Sequence, residues 1–113
     1  MNKYGQARRK VQQLISDLDE DIKGLVDCEF IVSPLATFDE LATTHSEEYI
    51  RRFLDGRQTE LEQRNVGFPW SLSGVDRALS SVGGTMAAAC DVCEIWQARN
   101  KEGLPPWAAH VGK

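Results

Sequence analysis

Cys90 and Cys93, three residues apart, are the pair whose type and spacing most directly offer chemistry. Paired thiolates bind zinc or cycle as a disulfide. A structural zinc site takes four ligands. Only Cys28, His45 and His110 are there to supplement the pair, and no second paired motif occurs. Both cysteines fall on the apolar face of a predicted helix, so the sequence reads them as small buried hydrophobes. His45, beside Ser46 and Glu48, has the titration range of a general base. Neither neighbour makes a convincing nucleophile or orienting carboxylate for it, which favours a capping or packing role. His110 lies in an apolar stretch and reads as buried and hydrogen-bonded rather than catalytic.

Other clusters carry less. The acidic run Asp17-Leu18-Asp19-Glu20-Asp21 lacks the spaced ligands, central glycine and terminal glutamate of a calcium loop, and reads as a solvated helix end. Gly83-Gly84-Thr85 sits inside a helical pattern with no Gly-Lys-Ser/Thr ending, so it is not a phosphate loop. Phe68, Trp70, Trp96 and Trp107 lack the basic interleaving of a base-stacking platform and are expected in a core or an interface.

The elements that must position these residues follow from periodicity. Val11, Leu14, Ile15, Leu18, Ile22 and Leu25 keep helical spacing. Cys28-Glu29-Phe30-Ile31-Val32 alternates as a short strand, and Ser33-Pro34 stops it. Thr37 with Glu40 is a capping-box pattern that predicts a short helix from Phe38 to about Thr43. Ser46, followed by Glu47 and Glu48, predicts a second N-terminus. Tyr49, Ile50, Phe53 and Leu54 form its apolar face and Gly56 its stop. A further helical turn is expected over Thr59 to Arg64. Gly67-Phe68-Pro69-Trp70 breaks regularity, and Ser71 opens the longest helix. Its face is Leu72, Val75, Leu79, Val82, Met86, Cys90, Cys93 and Trp96. Gly83-Gly84 lies within it, flanked by Ser80, Ser81 and Ala87 to Ala89, and this predicts another element packing closely there. After Pro105-Pro106, Trp107 to Val111 reads as the start of a buried strand.

Composition bounds the answer. The 113 residues make one domain at most, with 42% hydrophobic and 27% charged residues, an ordinary globular balance. A net charge of −4 disfavours direct nucleic-acid binding. The one basic cluster, Arg8-Arg9-Lys10, is short and reads as a solvated helix face. No apolar run approaches a membrane span and no signal peptide opens the chain. Three cysteines, an odd and sparse set, point to a reducing interior, cytoplasm or nucleus.

The motifs also form an ordered series. Thr37-Phe38-Asp39-Glu40-Leu41, His45-Ser46-Glu47-Glu48-Tyr49-Ile50, Phe53-Leu54-Asp55-Gly56, Gly67-Phe68-Pro69-Trp70-Ser71 and Gly83-Gly84-Thr85 follow one another at set spacing. In this order they resemble the N-terminal part of the zinc-dependent histone deacetylase family, especially its class IV and bacterial-type branch. The resemblance runs from Lys3-Tyr4 to Val111. It implies an α/β chain carrying part of the arginase/deacetylase fold: mostly helical, with two short strands of an incomplete parallel sheet, over residues 1–113. Full-length members hold zinc with Asp, His and Asp and use paired histidines as acid and base to hydrolyse acetyl-lysine amides. Those residues are expected beyond position 113, after a Gly-Gly-x-His-His turn from which Gly112-Lys113 departs.

The resemblance therefore implies the N-terminal segment of a deacetylase, inactive alone, with no catalytic or metal-binding residue and no cofactor in this chain. Zinc is expected only for the full-length family. Substrate-binding residues stay unassigned: class I relatives grip the substrate backbone with an aspartate near the Gly-Phe-Pro-Trp position, and no acid stands there here. An acetylated protein or a small acetylated amine is the expected substrate of a full-length member. The alternative is a non-catalytic regulatory module that associates with a deacetylase-like chain.

Overall fold

The computed structural model describes residues 6–17 and 29–111. The expectations for Leu18 to Leu25, for Cys28 and for most of the acidic run lie outside the described residues. Among those described, helices account for all regular structure: α1 (Gln6–Ser16), α2 (Phe38–Ala42), α3 (Glu47–Asp55), α4 (Glu60–Val66) and α5 (Leu72–Ala98).

Each helix from α2 onward begins where a side-chain oxygen satisfies an orphan amide. Thr37 caps α2 by accepting from the Glu40 amide at 3.2 Å, while Glu40 accepts from the Thr37 amide at 2.9 Å, completing the capping box. Hydrogen bonding from Thr37 to the carboxylate, its backbone amide first and its hydroxyl second, holds the Glu40 carboxyl below its ordinary pKa. Ser46, Thr59 and Ser71 cap α3, α4 and α5 by accepting from the amides of Tyr49, Glu62 and Gly74. Gly56 and Gly67 stop α3 and α4 with φ of 71° and 84°, the left-handed conformation that a Cβ resists.

Side chains then join the short helices. Arg51 of α3 lies over the Phe38 ring of α2, 5.3 Å from its centroid. Arg52 of α3 reaches α4, with Nη2 2.8 Å and Nε 3.0 Å from Glu62 Oε1. Trp70 folds back from the loop after α4. Its Nε1–H donates to the Phe53 carbonyl at 2.6 Å, and its ring lies where a Cβ on Gly56 would be, 3.1 Å away. Gly56 thus serves twice, as the left-handed stop and as the seat of an indole.

The expected α/β architecture is not what forms. No strand occurs among the described residues: 29–37 and 105–111 form no regular secondary structure. A parallel sheet needs a ladder of backbone bonds between neighbouring strands. Here the neighbour of segment 33–36 is a helix. It crosses α5 at Gly83-Gly84, and the Ala36 amide donates to the Leu79 carbonyl of α5 at 3.0 Å. A helix spends its carbonyls on its own amides, so it offers a crossing chain a single bond rather than a ladder. The crossing is close enough that a Cβ on Gly83 would strike the Pro34 carbonyl oxygen and lie 2.8 Å from the Ala36 nitrogen. The close-packed element predicted from the small residues of α5 is this segment.

The resulting core is thin. Ala36, Ile50 and Val75 are the buried hydrophobics among the described residues. Trp107 is 95% exposed, Leu104 85% and Val32 79%, so the Trp107 to Val111 stretch is not a buried strand. The accessible surface is 8976 Å², against roughly 6,200 Å² for a compact domain of this mass. The radius of gyration is 17.8 Å, against about 13 Å for a compact chain of this length.

Candidate functional site

Three places bring chemistry-bearing groups together. The first is the crossing over α5. Ser33, just before Pro34, and His110, in the 105–111 segment, both stand above Gly84, where a Cβ would lie 2.6 Å from Ser33 Oγ and against the His110 ring. Ser33 Oγ and His110 Nδ1 share a hydrogen bond at 3.3 Å, partly buried. The two residues lie 77 positions apart in sequence, and no spacing rule links them. As expected, His110 is hydrogen-bonded and partly covered. No carboxylate bonds its ring among the described residues, so the pair lacks the third group that orients a catalytic histidine. It ties the two segments to each other over α5.

The second is an open groove of about 840 Å³ between the α3–α4 turn and the 67–70 loop. Phe68, Pro69 and Trp70 line one side and Gln58, Glu60 and Arg64 the other. Gln63 Nε2 donates to the Phe68 carbonyl and holds the loop against α4. The Nε2 of Gln58 is buried without a hydrogen-bond partner. Such a donor costs about 1–3 kcal/mol unless a ligand or water reaches it. Neither Gln58 nor the groove was legible in the sequence, because the groove exists only once Trp70 has folded back onto α3. Between α3 and α4, Arg52 holds the Glu62 carboxyl below its ordinary pKa by direct hydrogen bonding, and its own guanidinium is pushed further up by the same bond.

The third is the cysteine pair. Cys90 and Cys93 are free thiols, and both are exposed on α5, not buried as the helical pattern suggested. The crossing segment covers α5 at Gly83-Gly84; beyond it Val92 and Trp96 are half-buried, while the stripe that carries the two cysteines is exposed. Val82 and Met86, on the same stripe, are 40% and 37% exposed.

His45 follows α2, its amide donates to the Leu41 carbonyl at 2.9 Å, and its ring leans on Tyr49 with centroids 5.9 Å apart. Asp17 accepts from Gln13 Nε2 at 2.9 Å at the end of α1. Phe68 is exposed, and Trp70 and Trp96 are half-buried. Among the described residues no group of three or more His, Cys, Asp or Glu side chains assembles, and no helix is long and apolar enough to cross a membrane.

No protein-family model matches the chain, and no solved structure matches it. A stretch of 49 residues is 39% identical to an uncharacterized protein of Picosynechococcus sp.. The similarity covers 43% of this chain and 16% of that protein.

Proposed function

We propose that this chain corresponds to the N-terminal scaffold segment of a zinc-dependent deacetylase of the class IV or bacterial type, and that it is catalytically incompetent by itself. The observation that carries the reading is what the motif residues do. Thr37 and Glu40 close a capping box, Ser46 and Gly56 bound α3, Trp70 seats on Gly56, and Gly83-Gly84 admits a crossing chain. Each positions backbone, which supports a scaffold role. The excess surface, with Trp107 and Leu104 nearly bare, supports a segment that packs against further protein.

In this reading the substrate of the assembled enzyme is an acetyl-lysine protein or a small acetylated amine. Zinc is bound by residues outside this chain, and the compartment is the cytoplasm or nucleus. The bare apolar residues also favour a second reading: a regulatory module that associates with a complete deacetylase-like chain rather than completing one. Direct nucleic-acid and membrane partners form no part of either.

Purified chain supplied with zinc and an acetyl-lysine peptide is the first test. The expected result is no acetate release and no stoichiometric zinc. Turnover that disappears with a chelator would overturn the incompetence of the segment.

A further inference from the structure

We propose that Met86, Cys90 and Cys93 form a binding site for a soft monovalent metal ion of the copper(I) class on the open face of α5. The three residues stand at i, i+4 and i+7 and therefore share one stripe of the helix. All three are exposed and both thiols are free. Thioether and thiolate sulfurs are the ligands that select copper(I) over harder ions.

Geometry separates this ligand from the alternatives. Residues at i and i+3 of a helix hold their Cβ atoms about 5–6 Å apart. A disulfide needs a Cβ separation of roughly 3.5–4.5 Å, so closing one here distorts the helix. A metal bridge has a longer span: two bonds of about 2.3 Å, the length found in zinc thiolates, reach up to roughly 4.6 Å between sulfurs. Zinc requires four ligands, and no third or fourth His, Cys, Asp or Glu joins the pair among the described residues. Copper(I) is satisfied by two thiolates, with the Met86 sulfur one turn back as a weaker third ligand. On binding, each thiol releases its proton to solvent as its metal–sulfur bond forms, and the copper stays monovalent.

The test uses the full chain, reduced and free of oxygen, in a Cys28→Ser background so that the two α5 thiols are the only ones present. Copper(I) is titrated against a chromophoric chelator of known affinity, with circular dichroism checking that each variant keeps its helix. One equivalent is expected to bind. Cys90→Ser and Cys93→Ser should each weaken binding by more than the roughly 10–100-fold typical of an outer-shell partner, and Met86→Leu by less. Zinc should not displace the copper. The proposal is overturned if the double Cys90→Ser, Cys93→Ser chain holds copper as tightly as its parent, or if zinc displaces copper at equal concentration.

Discussion

Gly83 shows most sharply how one residue governs the structure. Replacing a helical glycine by alanine ordinarily stabilises by about 1 kcal/mol. At Gly83 the sign should reverse, because the added Cβ would strike the Pro34 carbonyl and crowd the Ala36 amide, both of them backbone. We predict that Gly83→Ala destabilises by about 1–3 kcal/mol, read as a lower denaturant midpoint. Gly84→Ala should cost less, since the Ser33 and His110 side chains it meets can rotate away. A Gly83→Ala chain as stable as its parent would mean that segment 33–36 does not cross α5. Trp70 is the other single-residue fulcrum. It is half-buried and donates to the Phe53 carbonyl. Trp70→Ala should cost roughly 2 kcal/mol, below the range for a fully buried aromatic. Trp70→Phe should cost less while still losing the hydrogen bond, a difference that thermal unfolding resolves.

The short helices were legible because their signals are local. Thr37 with Glu40, Ser46 with Gly56, and Ser71 before the apolar run specify helix ends through bonds made within a few residues. The strands were misread because a strand is defined by its partner. The apolar alternation from Glu29 to Val32 favours extended backbone but specifies no ladder, and no strand forms there. The cysteines were misread for a related reason: helical spacing places them on a face without saying how far along α5 that face is covered. Joining α3 to α4 is the task of Arg52 and Glu62, which gives a pH prediction. The Glu62 carboxyl is held below its ordinary pKa in the folded chain. Its contribution is therefore complete above the unfolded carboxylate value of about 4.3. It is lost as pH falls through the lower folded value. Thermal midpoints measured from pH 7 downward should decline in that acid range, and Glu62→Gln should flatten part of the decline. An identical acid profile in the variant would remove the pair from the account.

At the scale of the molecule, the surface is large for the mass, and the core among the described residues is small. Bare Leu104 and Trp107 favour association. Replacing both with Ser should raise solubility and lower the self-associated fraction in sedimentation, with the helix content unchanged. The family reading proposed above rests on the order of the sequence motifs. The most direct test is complementation. The chain is produced together with a class IV or bacterial-type deacetylase from which the corresponding N-terminal segment has been removed, and zinc-dependent deacetylation of an acetyl-lysine peptide is measured. The account predicts that the two pieces co-purify in equal amounts and recover activity that neither has alone. Failure to associate, with the truncated enzyme folded and inactive, would contradict it.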